Sequence, residues 1–336
     1  MMISNTCLVA KRNGHSNLMN RLVLIDGNAI MHRAYHALPP LTTPDGKPAH
    51  VVYGFVSMII KIFHALKPTH FAVAFDRPGP TFRNELYKEY QIQRPKMEDD
   101  FISQIPMVHD VVKAFGIPIF ELDGFEADDM IGTIAKQRKS KKIDQVIIVT
   151  GDRDILQLVE DEKVLVFMPT KGLSEGKLYS EADVLERMGV VPKRIIDLKA
   201  LMGDASDNYP GVAGIGPKTA IHLLNEFGSV ENIYTSLEKS NVSDGVKTKL
   251  LAGKESAFLG VTLATIRTDA PIHFEPAKAV ITTLDTPEVR NTLASLRFSS
   301  LLRRISGEEL ATSEMTKARD TTKQKKKEHD EQQMLF

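Results

Sequence analysis

The chain has 336 residues, and its 43 lysines and arginines balance 43 aspartates and glutamates, so the formal net charge is zero. With 42% hydrophobic residues it can bury the core of one large or two smaller domains, which excludes a collagen-like or wholly disordered chain. A single cysteine, Cys7, excludes a disulfide framework and a cysteine-rich zinc site. The zero charge also argues against nucleic acid as a partner, because domains that bind it are often strongly basic.

The N-terminal segment, residues 1–20, lacks acids and contains Lys11 and Arg12. We interpret it as a disordered extension, with an organellar targeting segment as the alternative. No apolar run approaches the roughly 20 residues that a membrane-spanning helix needs, so we expect no contact with a membrane.

Strand-like and helical runs alternate after this segment. The predicted strands are Arg21–Ile25, His70–Phe75, Ile117–Glu121 and Gln145–Thr150, and the predicted helices are His50–Leu66, Pro106–Phe115 and Ala127–Arg138. This order indicates an α/β fold with a parallel sheet covered on both faces. From residue 185 helical pieces dominate, with one weak strand candidate near Ala279–Thr283. We therefore predict an α/β lobe at 21–184 and a mainly helical lobe at 185–305.

Acidic residues follow three of the predicted strands. Asp26 follows the first, Asp76 the second, and Asp152 with Asp154 the fourth. Ligands of open parallel sheets bind beyond the carboxyl ends of the strands, so these side chains are expected to converge on one crevice. Two further groups are Glu126, Asp128 and Asp129, which open a helix, and Asp204 and Asp207, which precede a glycine-rich turn. The alternatives for these groups are compensation of the helix dipole, and capping or turn formation.

So many carboxylates at one sheet edge repel one another strongly unless cations neutralise them. Two like charges 4 Å apart cost about 4 kcal/mol at an effective dielectric of 20. Oxygen ligands without cysteine or paired histidines indicate Mg²⁺ or Mn²⁺. Two such ions about 4 Å apart would stabilise both the attacking and the leaving oxygen of a phosphodiester displacement.

A glycine-rich turn, GVAGIGPKTA, lies between two helix-like runs. Its spacing matches neither a dinucleotide-binding fingerprint nor a P-loop. A hairpin of this kind lets backbone N–H groups and a helix N-terminus approach a phosphate, although it could also be a plain helix connection. We expect it to contact a phosphate through Gly211, Gly214, Gly216, Lys218 and Thr219, with Lys199 nearby.

Seven motifs carry a resemblance to a known family: LIDGNAIMHRAYHAL, AFD, TFRNELYKEY, EADD, TGDRD, LMGDASDN and GVAGIGPKTA. Over residues 21–305 they resemble, in order and spacing, the 5′→3′ exonuclease domain at the N-terminus of bacterial DNA polymerase I, a member of the flap-endonuclease family. No polymerase portion follows, so the chain looks like a stand-alone member. The resemblance implies a PIN-like nuclease lobe, a helix–hairpin–helix (helix-three-turn-helix) lobe, and cleavage of 5′ ends and 5′ flaps of DNA, and of RNA in hybrids.

The resemblance also implies roles for individual residues. It assigns one metal cluster to Asp26, Asp76, Glu126, Asp128 and Asp129, a second to Asp152, Asp154, Asp204 and Asp207, and the duplex backbone with K⁺ to the hairpin.

Residues 77–106 match the family's helical arch. In it Arg83 and Arg94 are expected to hold the scissile phosphate, and Tyr90 to stack on a terminal base, with simple packing of Tyr90 as the alternative. Related domains carry lysine after this tyrosine, whereas this chain has Gln91. The missing cation favours a second hypothesis, a catalytically weak flap-binding protein, unless Lys88, Arg94 or Lys96 replaces it. A PIN-type ribonuclease is a third hypothesis.

The tail, residues 313–336, is polar and mixed in charge, and we expect it to be disordered. Its final QQMLF, with Gln332, Leu335 and Phe336, resembles the peptide by which bacterial replication proteins bind the sliding clamp. We accordingly expect a monomer that acts on DNA in the bacterial cytoplasm, at the nucleoid, with an organelle as the alternative location.

Overall fold

The structure is a computed structural model that describes residues 19–170 and 175–306. The strands are β1 Arg21–Asp26, β2 His70–Ala74, β3 Ile119–Phe120, β4 Gln145–Val149, β5 Val164–Pro169, β6 Gly176–Tyr179, β7 Gly203–Asp204 and β8 Tyr209–Pro210. The first lobe has helices α1 Gly27–Ala37, α2 His50–Leu66, α3 Phe82–Leu86, α4 Asp99–Ile102, α5 Ile105–Ala114, α6 Ala127–Gln137 and α7 Glu181–Met188. The remaining helices are α8 Ile195–Met202, α9 Pro217–Phe227, α10 Val230–Ser236, α11 Asp244–Ala252, α12 Lys254–Ala264, α13 Pro276–Ala279, α14 Pro287–Ser295 and α15 Ser299–Ile305. Within the described ranges no helix is long and apolar enough to cross a membrane.

The main sheet has six strands in the order β3-β2-β1-β4-β5-β6. The first five run parallel and β6 pairs antiparallel with β5. The predicted parallel α/β architecture is therefore confirmed. The carboxyl ends of β1, β2 and β4 lie at one edge, because Ile25 pairs with both Val73 and Val149.

Alternating residues of β1 serve two hydrophobic cores. Leu22 and Leu24 lie in a core shared with α6 and with the helical lobe. Val23 and Ile25 face the other way, into a core shared with α1, α2 and α5. Burial on both faces explains why β1, β2 and β4 are nearly continuous apolar runs.

Several elements differ from the prediction. Strands β5 and β6 and helix α1 were not predicted, and the third strand shrinks to Ile119–Phe120. The weak candidate at Ala279–Thr283 forms a single bridge, between Val280 and His70, rather than a strand.

The last two helices return to the first lobe. Leu293 of α14 and Leu301 of α15 are fully buried in the core that contains α2 and α5. The predicted lobe at 185–305 is therefore wrong at its C-terminal end, because the apolar faces of these helices cover the sheet side of the first lobe.

Candidate active site

The first group of acids lies where strands β1 and β2 end. Asp26 caps α1 by accepting a hydrogen bond from Ala29 N at 3.0 Å, and it accepts another from Thr150 Oγ1 at 2.6 Å. Asp76 accepts from Ala127 N at 2.7 Å, which joins the end of β2 to the start of α6. These contacts position the two carboxylates at one crevice.

Burial and neighbouring negative charges raise the pKa values of several acids in the first group. Burial raises the pKa of Asp26 to about 7, and the charges of Asp76 and Asp152 add to the rise. Burial raises the pKa of Asp128 well above its ordinary value, with Asp152 and Asp26 as the next causes. Burial also raises the pKa of Glu126 to about 7, although Arg83 opposes the rise. A cation bound beside such groups favours their ionised form.

A second group consists of Asp154, Asp204 and Asp207, which each offer a carboxylate oxygen within 4.8 Å of the others. The ammonium of Lys199 pairs with both Asp154 and Asp204. Burial raises the pKa of Asp154 to about 6 against the charge of Lys199. Burial acts the same way on Asp204, but there Lys199 and Ser206 outweigh it and the pKa is lowered.

These donors fit divalent ions such as Mg²⁺ or Mn²⁺. All of them are carboxylate oxygens, which hard cations prefer. A cation, the ammonium of Lys199, already lies on two of the oxygens of the second group. The residues that would hold metal are Asp26, Asp76, Glu126 and Asp128 in the first group and Asp154, Asp204 and Asp207 in the second. Asp152, which was predicted in the second group, lies between the two, because its charge acts on Asp26 and Asp128 as well as on Asp154.

Asp129 and Arg83, which were predicted to bind metal and phosphate, form a buried ion pair with each other. Asp129 is 0% exposed, and its oxygens accept from Arg83 at 2.8 and 2.9 Å and from Arg267 N at 2.8 Å. It also completes a capping box with Glu126 in the first turn of α6, a position that also suits the predicted alternative of compensation of the helix dipole. Arg83 also donates hydrogen bonds to the backbone carbonyl oxygens of Leu263 and Thr265. Arg83 also pairs with Glu126 at 3.4 Å, so in this structure its guanidinium is held by two acids of the first group, and the predicted roles of Asp129 as a metal ligand and of Arg83 as a phosphate contact stay predictions.

Tyr90 is also placed differently from the stacking prediction. It is 4% exposed and packs with Tyr209, Leu263 and Ala264, and its hydroxyl donates to Glu126 Oε2 at 3.3 Å. A side chain buried in this way has no free ring face for a base. The packing alternative describes this residue correctly.

Arg94 and Gln91 both contact the second group. Arg94 Nη2 and Gln91 Nε2 each donate to Asp207 Oδ1 at 3.0 Å. Gln91 N also donates to Asp207 O at 2.9 Å, with Gln91 at a φ of 57°. Between residues 77 and 106 only α3, α4 and the first residues of α5 are α-helical, so the arch is less helical than predicted. Its central turn is attached to the loop that carries Asp207.

The glycine-rich hairpin extends from the second group. β7 and β8 pair Asp204 with Tyr209, and Val212 N donates to Leu201 O at 2.8 Å at the hairpin base. Val212 and Ile215 are buried anchors, whereas Gly214, Gly216 and Lys218 are exposed. Gly214 adopts a φ of 77°, and α9 begins directly after Gly216. The tip therefore presents backbone and a helix N-terminus to a phosphate.

Sequence analysis missed three contributors to the site. Thr150 fixes Asp26, Tyr209 lies beside the second group, and Lys249 donates to Gly214 O at 3.2 Å. Thr150 could have been found, because it follows a buried strand next to two acids. Lys249 lies 35 residues from its partner, and no local pattern signals such a contact. The predicted clamp peptide at Gln332, Leu335 and Phe336 and residues 1–18 lie outside the described residues.

Comparison with known proteins identifies the family of the chain. Residues 21–189 match the family described as "5'-3' exonuclease, N-terminal resolvase-like domain", and residues 190–287 match "5'-3' exonuclease, C-terminal SAM fold". The chain is 37% identical over 287 residues to a 5'-3' exonuclease of Aquifex aeolicus, covering 85% of this chain and 96% of that protein. It is 41% identical over 300 residues to DNA polymerase I of Caldicellulosiruptor bescii, covering 89% of this chain and 35% of the polymerase. The chain thus spans about a third of the length of that polymerase.

The fold agrees with solved structures as well. The 5'-exonuclease of T5, solved with divalent metal ions (zinc) bound, has a TM-score of 0.63 and 24% identity, covering 87% of this chain and 98% of that one. Both family domains occur here in the same order and together span residues 21–287. The chain therefore belongs to the 5′→3′ exonuclease family of nucleases.

Proposed function

We propose that this chain is a structure-specific 5′ nuclease that cleaves 5′ ends and 5′ flaps of DNA, and RNA in RNA–DNA hybrids, with two Mg²⁺ or Mn²⁺ ions. One observation carries the proposal. The exposed hairpin and the second acidic group share the β7–β8 pair, in which Asp204 lies opposite Tyr209. A duplex held by the hairpin would therefore be held at a fixed distance from the carboxylates.

The chain's residues divide the work. The exposed hairpin and Lys218 bind the phosphate backbone, which recognises shape rather than base sequence. The carboxylates of the two groups hold and space the divalent ions, whose chemistry is to activate water and stabilise the charge of an in-line displacement. Arg94, at 54% side-chain exposure and paired with Asp207, is a cation of the arch beside the second acidic group that could contact a scissile phosphate, and Lys88 and Lys96 are further exposed cations of the arch.

Cleavage of a 5′-labelled flap with Mg²⁺ tests the proposal directly. We expect product with wild type, none in EDTA, and at least a hundredfold slower cleavage by Asp128→Ala. Asp110→Ala is the matched control, because Asp110 is a 73% exposed aspartate on α5 outside both groups. Undiminished cleavage by Asp128→Ala would contradict the mechanism.

A second candidate function, flap binding with little turnover, is favoured by one observation. The arch offers Gln91, a neutral side chain, to Asp207. If this function is correct, wild type binds flaps tightly, cleaves them slowly, and gains turnover in Gln91→Lys. A PIN-type ribonuclease would instead cleave an RNA flap in preference to a DNA flap of the same sequence.

The cellular role is proposed from the relatives. Primer removal and repair in the bacterial cytoplasm, at the nucleoid, suit a monomeric relative of bacterial DNA polymerase I. The terminal QQMLF would tether the enzyme to a sliding clamp and raise its effective concentration at the fork. Added clamp should shift the chain on a sizing column, and deletion of Met334–Phe336 should abolish the shift. K⁺ at the hairpin is tested by duplex affinity in KCl against NaCl.

A further inference from the structure

Lys199 holds a position in the second acidic group that a metal ion would require. Its ammonium forms ion pairs with Asp154 and with Asp204, which are two of the three carboxylates of the group. The third, Asp207, is paired with Arg94 at 3.0 Å. Side-chain cations of the protein therefore neutralise every carboxylate of the group.

The fold brings Lys199 to this position. It lies in the last turn of α8, directly before the β7 residue Asp204, and its side chain is 14% exposed. It is therefore no freely solvated surface lysine, and its contacts with both partners follow from the backbone path. In the first acidic group the described residues give one ion pair, between Arg83 and Glu126 at 3.4 Å, and that arginine is also bound to Asp129.

A polar atom beside Lys199 lacks a partner. Tyr209 lies opposite Asp204 in the β7–β8 pair, is 4% exposed, and its buried hydroxyl has no hydrogen bond in the described part of the chain. Buried hydroxyls normally have a partner, so this oxygen is able to accept a hydrogen bond from a neighbouring donor. An ammonium that leaves Asp154 and Asp204 passes into surroundings that already contain this acceptor.

An ammonium and a divalent ion compete for the same oxygens. Both draw on lone pairs of Asp154 and Asp204, and two cations a few ångströms apart repel each other. A divalent ion bound to these oxygens would therefore weaken the contacts of the Lys199 ammonium. An ammonium released at the crevice could then pair with an arriving anion such as a phosphate of the nucleic acid.

We propose that Lys199 is an exchangeable counter-cation, which holds the second acidic group together in the metal-free protein and is transferred to a substrate phosphate when the second divalent ion binds. The inference rests on the proposed function for its second half, the transfer to phosphate. Its first half concerns the protein and metal alone. Affinity for the second ion is weakened by Lys199, and binding of that ion liberates one cation for DNA.

Mn²⁺ titration without DNA tests the first half. Free Mn²⁺ is followed by electron paramagnetic resonance, and the second site is identified as the one that Asp204→Asn loses. We expect Lys199→Met to bind Mn²⁺ at that site at least about tenfold more tightly than wild type, and Lys199→Arg to stay close to wild type. Lys193→Met is the matched control, because Lys193 is exposed in the 3₁₀ turn before α8. Unchanged or weaker second-site affinity in Lys199→Met would overturn the proposal.

A neutral variant that keeps donors, Lys199→Gln, guards against misfolding of the methionine variant. Its second-site affinity should also rise, and a fall would contradict the competition. Circular dichroism of both variants establishes that they are folded before titration.

Salt dependence of flap binding tests the second half. With Ca²⁺ replacing Mg²⁺ and the flap verified as uncut, Lys199→Met should lower the slope of log affinity against log salt by about 0.9, the value of one phosphate contact. In EDTA the slope should not change. An equal change in both conditions, or none with Ca²⁺, would show that Lys199 does not exchange. The titration remains interpretable even if the wild-type chain cleaves no flap.

Discussion

The guanidinium of Arg83 donates to both carboxylate oxygens of Asp129, at 2.8 and 2.9 Å, and the two side chains are 3% and 0% exposed. This bidentate pair joins the start of the arch to the first turn of α6, beside the first acidic group. Its contribution is to hold the edge of the metal centre in place.

Arg83→Met should destabilise the protein by about 3–5 kcal/mol, because it leaves the buried charge of Asp129 without its counter-charge. The expected fall in melting temperature is about 2–4 °C per kcal/mol in a chain of this size class. Arg267→Met is the control, since its pair with Asp269 is 39% and 62% exposed and is worth at most about 1 kcal/mol. Equal effects of the two substitutions in thermal unfolding would contradict the buried-pair interpretation.

Tyr90→Leu separates packing from stacking. Leucine keeps an apolar side chain in the pocket with Leu263 but removes the ring. If Tyr90 only packs, flap affinity in Ca²⁺ should stay within about twofold, whereas loss of a base stack costs about 1–3 kcal/mol. A tenfold or larger loss of affinity, in a variant whose melting temperature is close to wild type, would restore the stacking role.

Asp26→Asn should become more stable relative to wild type as pH rises from 5 to 8 in EDTA. Burial raises the pKa of Asp26 to about 7, so the folded state binds this proton more tightly than the unfolded chain does. The stability associated with the proton is present at low pH and is lost as pH rises toward the folded pKa. Burial lowers the pKa values of His32, His70 and His109, so these groups make both proteins more stable as pH rises. The measurement is therefore the difference between the melting temperatures of the variant and wild type, in which the histidine contributions cancel.

Mg²⁺ should raise the melting temperature of wild type more at pH 8 than at pH 5. Protons compete for the acids whose pKa is raised, among them Glu126, at about 7 through burial, and Asp154, at about 6. An ion at 100 times its dissociation constant adds about 2.7 kcal/mol to the free energy of unfolding. A Mg²⁺ effect independent of pH would mean that these carboxylates are not its ligands.

Lys218→Met should weaken duplex binding for all sequences alike and lower its salt slope by about 1. Lys218 is exposed at the first turn of α9, so its loss should leave thermal stability unchanged. Lys239→Met, at an exposed lysine of the same lobe, should leave the slope as it is. A sequence-dependent loss of affinity would instead indicate contact with base edges.

The sequence predicted the elements that have a strong period. His50–Leu66 is observed with the predicted bounds, and the buried strands β1, β2 and β4 lie within one residue of theirs. The acids after these strands were found because parallel strands end at a common edge. The sequence could not predict which charged side chains form ion pairs with each other. Asp129 and Arg83 look like their neighbours in the motifs, and only the tertiary contacts with Leu263 and Thr265 show that both are internal.

The zero net charge did not predict the partner, because charges are distributed unevenly. Acids concentrate at the sheet edge, while Lys218 and Arg94 lie on the hairpin and the arch. A sum over the chain averages these opposed surfaces. Bound divalent ions would add about four positive charges at the acidic edge.

The return of α14 and α15 to the first lobe has a consequence for synthesis. Residues 287–305 are synthesised after the hairpin. The apolar surface of α2 and α5 that they cover therefore stays exposed to solvent while the helical lobe is being synthesised. The two lobes therefore cannot fold as independent domains. A fragment that stops before α14 should bind chaperones and aggregate. The first lobe, which carries the first acidic group, is therefore completed only after the glycine-rich hairpin has been synthesised.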